Sequence, residues 1–433
     1  MNYAPYAETE DSGVAWIGYK PMHWQVMKLH HMVRMKSGSA ITSVEMEDDG
    51  QYPVFGGNGV RGRFSQYTHD GSYVLIGRQG AECGNINYAH GKFWASEHAV
   101  VATPDRKLEY RWLGETLRAM NLNQYSQAAA QPGLSVEVIG RLKLPFPPLA
   151  EQRQIAAFLD WKTGQIDSLI ARKKELLEKL KEKRLAVVTQ AVTRGINPGV
   201  PLRDTAFPWI GHVPAHWEVK RLKFQAGTGK GAGIQIGPFG GMLTELTYAE
   251  TGEFKLYGQE NVLSGDFDKG TRWLTTEQYA DLRQYAAEAG DVLFTRKGSI
   301  GGCAVFPENG RPGIIDSDTI RLRVNPKTLS TRFLLYAVRE SEYLQFQVQL
   351  IKRGAILSGL NTTTIADLML VAPPLDEQIA ISNYLDRQAS RINQLATHVE
   401  TAIVHLTEYR TALITAATTG KIDVRKVEVP VFG

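Results

Sequence analysis

The 433-residue chain is 43% hydrophobic and 22% charged, the composition of an ordinary globular protein long enough for two to four domains, each with its own core. A formal charge of +4, with a sequence pI near 8.8, suits a polyanionic partner but excludes the dense charge of a histone-like binder. Two cysteines, Cys83 and Cys303, are too few for a disulfide scaffold or a thiolate metal site, and no stretch approaches the roughly 20 apolar residues of a membrane span. The expectations are a cytoplasmic protein with no export signal in Met1 to Ser12, no membrane contact, and two small buried cysteines.

The first distinctive element is Trp16-Ile17-Gly18-Tyr19-Lys20-Pro21-Met22-His23-Trp24-Gln25-Val26. Large aromatics around a fixed proline turn anchor packing, here expected to clamp a globular part against a helix. Tyr52 to Arg63 predicts a strand and then a glycine-rich loop carrying Asn58, Arg61 and Arg63. Ser72 to Ile76 predicts a buried strand that runs into the basic glycine turn Gly77-Arg78-Gln79-Gly80. Pro147-Pro148 stops the next strand. From Glu151 to about Val192 apolar residues at Ile155, Leu159, Ile166, Leu169, Leu176, Leu180, Val187 and Ala191 predict a long amphipathic helix ended by Gly195. Its run of Lys and Arg from Arg172 to Arg184, interleaved with Glu175, Glu178 and Glu182, reads as a solvated face of i,i+4 pairs.

The chain then repeats itself. Trp209-Ile210-Gly211-His212-Val213-Pro214-Ala215-His216-Trp217-Glu218-Val219 returns the first element at an offset of 193 (209 minus 16), and Pro373-Pro374-Leu375-Asp376-Glu377-Gln378 returns Pro147-Pro148-Leu149-Ala150-Glu151-Gln152 at 226 (373 minus 147). The second copy is therefore 33 residues longer between the two marks (226 minus 193). Within it, Asp291 to Thr295 and the turn Arg296-Lys297-Gly298-Ser299 answer Ser72 to Gly80, while Tyr257-Gly258-Gln259-Glu260-Asn261 stands opposite Tyr52 to Arg63. From Glu377 to about Thr418, Leu385, Gln388, Ile392, Leu395, Val399, Ala402, Leu406, Tyr409, Leu413 and Ala416 keep the 4-3 rhythm of a coiled-coil seam, and Gly420 ends the helix. Such a seam needs a mate, and the other long helix is the obvious one. Each helix of roughly 42 residues would reach about 60 Å.

A duplicated frame suits a partner of two-fold character, and duplex DNA leads the candidates. Catalytic constellations are missing together. Gly227-Thr228-Gly229-Lys230-Gly231 lacks the early glycine and the Ser or Thr of a phosphate loop, no glycine-rich turn opens a dinucleotide-binding unit, and the ten histidines never take metal-ligand spacing. No amino-methyltransferase or nuclease motif is present, so neither a cofactor nor a metal is expected in this chain. The residues that are present suit recognition, because Arg, Lys, Asn, Gln and Thr at glycine turns reach phosphates or base edges. On turn chemistry the candidate DNA-binding residues are Asn58, Arg61, Arg63, Arg78 and Gln79 in the first half and Lys230, Gln259, Arg296, Lys297 and Ser299 in the second, with Lys352, Arg353, Thr362 and Thr363 added from Lys352-Arg353-Gly354 and Asn361-Thr362-Thr363-Thr364.

Two inserts, each preceded by Trp-Ile-Gly-x-x-Pro-x-His-Trp and followed by a Pro-Pro-Leu-x-Glu-Gln helix, resemble the DNA-specificity subunit of type I restriction-modification systems over almost the whole chain. The resemblance implies an α+β chain with an internal two-fold pseudo-repeat: two mixed globular target-recognition domains at 1–148 and 198–372, long helices at 149–197 and 373–424 forming an antiparallel coiled coil, and a tail at 425–433. It implies that each domain reads one half of a bipartite duplex site and that the helices fix the gap. Two methyltransferase subunits and the restriction subunits would then dock on the chain, bringing S-adenosylmethionine, ATP and magnesium. A coiled-coil scaffold with protein-binding lobes is the competing reading, and a self-sufficient methyltransferase or nuclease the third. Salt titration of DNA binding separates the first two, and S-adenosylmethionine binding by the isolated chain isolates the last.

Overall fold

The computed structural model describes residues 3–80, 83–126, 133–228, 233–239, 251–297, 301–354 and 359–430, the side chains of 351–354 excepted. Strands and helices are mixed throughout, as expected. The chain divides into two compact units, Met1–Glu175 with Val399–Gly433, and Leu176–His398. The division falls inside both long helices, Leu149–Arg194 and Leu375–Thr418, so each unit joins a strand-rich lobe to part of each helix. Among the described residues no helix is long and apolar enough to cross a membrane.

The first unit is built on a six-stranded sheet, in the order Val33–Ser37, Ala99–Pro104, His69–Gly77, Ile86–Ala95, Tyr52–Gly56 and Gly59–Phe64. Side chains alternate across it: Val74, Ile76, Val100 and Ala102 face the cluster holding Trp112, Leu113 and Leu117 of the helix Tyr110–Ala119, while Leu75, Val101, Phe93 and Phe55 form a second cluster on the other face. All contacts are antiparallel except Tyr52–Gly56 against Ile86–Ala95, where Phe55 pairs with Ala95 in parallel.

The second unit keeps this plan but cuts it in two. Ile86–Ala95 is one ten-residue strand, whereas its counterparts Cys303–Val305 and Gly313–Ile315 are separated by Phe306 to Pro312. Pro307 and Pro312 lack the N–H that a ladder requires, so the strand cannot run through. The sheet accordingly splits into four strands, Gly233–Ile236, Thr319–Arg323, Val292–Thr295 and Cys303–Val305, and three, Trp273–Leu274, Phe254–Tyr257 and Gly313–Ile315. The parallel pairing survives, Tyr257 matching Ile315 as Phe55 matches Ala95.

In each unit the early part of one long helix packs on the late part of the other. In the first unit Ile155, Phe158, Leu159 and Ile166 share a core with Leu413, Ile414, Ala416 and Ala417, and Arg410 donates to Asp167 at 2.8 Å. In the second unit Val188, Ala191 and Val192 join Ile381 and Leu385, and Arg184 donates to Asn393 at 2.9 Å. Gly195 and Gly420 end the helices in the left-handed region, φ +77° and +73°. Four expected inward residues point out instead: Leu169, Leu176, Leu395 and Tyr409 are 42, 46, 52 and 41% exposed. Ile170 and Leu177, one position on, are half-buried, and beside Leu395 so is Ala396. Both cysteines are buried as expected, and burial pushes the Cys303 thiol up to about 12.

Candidate nucleic-acid interface

What holds each lobe to its helices is the repeated motif. Glu151, at the start of the first long helix, accepts the Trp24 indole N–H at 2.9 Å and the Tyr6 hydroxyl at 3.1 Å and lies 2.7 Å from the His23 ring. Burial, with the Glu151 carboxylate alongside, pushes the Tyr6 hydroxyl above its ordinary range. Glu377 repeats this with Trp217 at 3.0 Å and His216 at 2.6 Å. The neighbouring glutamines repeat as well: Gln152 donates to Pro147 and accepts from Glu109 N–H, and Gln378 donates to Pro373 and accepts from Ser330 N–H. Trp24 also lies against Gly420 and Trp217 against Gly195, so each indole is seated between the start of one helix and the end of the other. Trp16 bonds the Lys143 carbonyl, whereas Trp209 is 36% exposed and packs its ring 5.4 Å from Phe207 and 6.1 Å from Phe346. The carbonyl in the matching place, that of Met369, accepts from Gln347.

On the clamped lobes a polar cluster forms where four backbone segments meet. In the first unit Arg78 N–H donates to His98 O, the Arg78 carbonyl accepts from Leu134 N–H, Ser96 N–H donates to Phe55 O, and Ala99 N–H donates to Ser96 O. Gly38 closes the floor, since a Cβ there would lie 2.1 Å from the Ala95 carbonyl oxygen. The Arg78 guanidinium donates to Ser37 Oγ at 3.0 Å, Asn58 accepts from Asn85 at 2.6 Å, and His98 pairs with Glu97 at 3.0 Å. Asn58 and Gln79 are exposed, and the Gly57 backbone approaches those of Gln79 and His98, which puts the first loop and the turn on one surface.

The second unit rebuilds the same frame bond for bond. Arg296 N–H donates to Asp318 O, the Arg296 carbonyl accepts from Leu360 N–H, Asp316 N–H donates to Tyr257 O, and Thr319 N–H donates to Asp316 O. Gly237 stands where Gly38 does, a Cβ there meeting the Asp316 carbonyl oxygen at 2.1 Å. The side chains differ. The Arg296 guanidinium donates to the Ser317 carbonyl at 3.3 Å and lies 5.1 Å from the Phe239 ring, Lys297 pairs with Asp318 at 2.8 Å, and Arg272 bridges Glu260 and Asp316. Burial pushes the Asp316 carboxyl up, against the pull of Arg272 and the Thr319 hydroxyl.

The structure thus brings Asn58, Arg78 and Gln79 together in one unit and Gln259, Arg296 and Lys297 in the other. Gln259 opens the helix Gln259–Ser264 beside Gly258, whose Cβ would lie 2.6 Å from Asp316 Oδ2. Thr362 and Thr363 begin the short helix Thr362–Ala366 just after Leu360, which bonds Arg296. Arg61 is exposed on the strand beside the first loop. Arg63 lies further along it, donating to the Gly50 and Gln51 carbonyls. Lys230 and Ser299, and the side chains of Lys352 and Arg353, lie outside the described residues. Sequence reading missed His98 and Asp318. The signal available was a small or acidic residue two places earlier on the chain, since Ser96 Oγ and Asp316 Oδ1 accept from the His98 and Asp318 amides alike.

Residues 21–182 match the family model for the type I restriction modification DNA specificity domain. The chain is 44% identical over 136 residues to the EcoprrI type I restriction enzyme specificity subunit of Escherichia coli, a stretch that spans about a third of that relative (34%) and 30% of this chain. It is 24% identical to a putative type I restriction enzyme specificity subunit of Haemophilus influenzae over 82% of this chain and 84% of the relative. Among solved structures it resembles a chain described under complex assembly and conformational transition of the type I R-M system, TM-score 0.69 at 17% identity, covering 93% of this chain and 99% of that one. The HsdS subunit from Thermoanaerobacter tengcongensis matches at TM-score 0.53 and 16% identity over 93% and 98%. At these identities the structural likeness is one of fold.

Proposed function

We propose that this chain, a member of the type I restriction-modification specificity subunits, reads a bipartite site on duplex DNA, one half with the cluster around Arg78 and the other with the cluster around Arg296. The observation that carries this is the pair of clusters: one backbone frame, made twice, presents two different sets of polar side chains. A frame that fixes loop positions while leaving the tips free to vary is what a reader of base edges needs. The five-segment domain division, the pairing of the long helices as an antiparallel coiled coil that sets the gap between half-sites, and the docking of two methyltransferase subunits belong to the same proposal. Restriction subunits join through that complex. S-adenosylmethionine, ATP and magnesium act in those partners, and catalysis is theirs.

The test is selection of duplexes from a randomised library by the chain assembled with its modification subunits, followed by salt titration. Two short conserved blocks separated by a fixed unspecified spacer, bound with an affinity that falls steeply with salt, are expected. A salt-insensitive complex with no enriched sequence would favour a protein-binding scaffold instead.

A further inference from the structure

We propose that positions 98 and 318 are base-discriminating positions, one in each unit, with the carboxylate of Asp318 accepting from an exocyclic amino group of cytosine or adenine and the imidazole of His98 meeting a different base edge. This rests on the DNA-reading function proposed above. The two residues occupy one backbone position: each carbonyl accepts the amide of the turn arginine, Arg78 or Arg296, and each amide is bonded by the side chain two residues earlier. Each side chain is partly open, 39% exposed for His98 and 34% for Asp318. Each also lies beside a charged neighbour, Glu97 at 3.0 Å and Lys297 at 2.8 Å.

The chemistry of Asp318 narrows its target. A carboxylate repels phosphate, so at a DNA-facing turn its favourable contact is with a hydrogen-bond donor, and in the major groove the donors are the amino groups of cytosine and adenine. Lys297 beside it offsets the charge of the approach to the backbone. With Nε2 on the Glu97 carboxylate, His98 has one ring nitrogen left for a base, and as an N–H it suits the N7 and O6 acceptors of guanine, which a carboxylate repels. Because the frame is common and the reading group is not, the two half-sites should differ at the base that meets this position.

The experiment is sequence selection from a randomised duplex library by the chain with its modification subunits, comparing the unaltered protein with Asp318→Leu and His98→Asp. Asp318→Leu keeps a side chain of similar size but removes both acceptors, so one position of one half-site should lose its preference for an amino-bearing base by roughly 5- to 150-fold. The other half-site should stay enriched, which also reports that the protein is folded. His98→Asp should move one position of the opposite half towards cytosine or adenine. Half-sites unchanged at every position would overturn the inference, and so would uniform weakening across sequences or loss of both halves together. An unaltered protein that enriches no bipartite site would instead refute the underlying function.

Discussion

Removing the Glu377 carboxylate should loosen the second lobe from its helix by an amount the geometry sets. Trp217 is 1% exposed and its indole N–H reaches Glu377 Oε2 at 3.0 Å. A hydrogen bond to a charged group contributes about 1.5–3 kcal/mol, and a buried donor stripped of its acceptor costs the same order. His216, 46% exposed, adds no more than about 1 kcal/mol, because solvent screens its pair. Glu377→Ala should therefore cost about 2–3 kcal/mol, nearly all of it the stranded indole N–H. Trp217→Phe keeps most of the ring and deletes the donor, so in the double variant nothing is stranded, and the combined loss should fall short of the sum of the single losses by about 1–2 kcal/mol. Urea unfolding followed by far-ultraviolet circular dichroism, with the four proteins of the cycle compared at constant m-value, measures this. In the first unit Glu151 takes the Tyr6 hydroxyl as a third partner, so Glu151→Ala should cost more than Glu377→Ala. Losses that add within about 0.5 kcal/mol would refute the clamp as the link between lobe and helix.

The purified chain alone should show no methyltransferase, ATPase or nuclease activity, with methylation appearing on addition of the modification subunit; turnover that survives further purification of the single polypeptide would contradict this. Exchanging residues 199–372 for those of a relative should change one half of the methylated motif in genome-wide methylation mapping and leave the other half alone. Arg78→Ala and Arg296→Ala should each cost about 1–3 kcal/mol of binding and relax one half-site if the guanidinium meets a base, whereas a phosphate contact would weaken all sequences and flatten the salt slope. The Arg425 guanidinium holds the Asp423 carboxyl below the usual carboxylate range. Its folded value lies under the unfolded one, so the stabilisation is complete above about pH 4 and disappears as pH falls through the folded value. Thermal midpoints between pH 6 and 2 should fall less steeply for Asp423→Asn than for the unaltered chain.

Much of the frame was legible in the sequence because the residues that build it are irreplaceable at their places. Glu151 and Glu377 each satisfy an indole donor, Gln152 and Gln378 bond two and three backbone groups, and Gly195 and Gly420 take a left-handed turn, so these three positions recur in both copies. The helix seam was less legible. Leu169 and Ile170 are both apolar, as are Leu176 and Leu177, and spacing alone does not choose between adjacent residues; packing turned Ile170 and Leu177 inward and left the others at the surface. Trp209 keeps its packing role but with a different neighbour, Phe346, far away in sequence. The reading clusters were half legible. Arg78 and Arg296 follow matching strands, yet His98 and Asp318 share no residue type, and what marks them as counterparts is the folded chain's hydrogen bonding, the turn arginine's amide on each carbonyl and the side chain two places back on each amide.

The longer second copy bears on how such a frame changes its reading without losing its shape. The largest single share of its surplus falls between Gly258 and Arg296, the interval that corresponds to Gly56 and Arg78. There the first unit has the strand Gly59–Phe64 paired on Tyr52–Gly56, and the second has the strand Trp273–Leu274 and the helix Thr276–Asp281. Arg272 from this insert reaches Glu260 and Asp316 at 3.0 and 3.1 Å, the latter adjoining the turn that carries Asp318. The insert therefore stiffens the reading position from outside while the frame bonds, all of them backbone to backbone, stay indifferent to which side chains they carry. A single substitution at position 318 leaves the Arg272 bridge to Asp316 in place, and an exchange of the whole lobe carries bridge and tip together. On this argument the exchange of residues 199–372 should transfer a sharp half-site, and a substitution at position 318 should change one base while the rest of its half-site stays sharp.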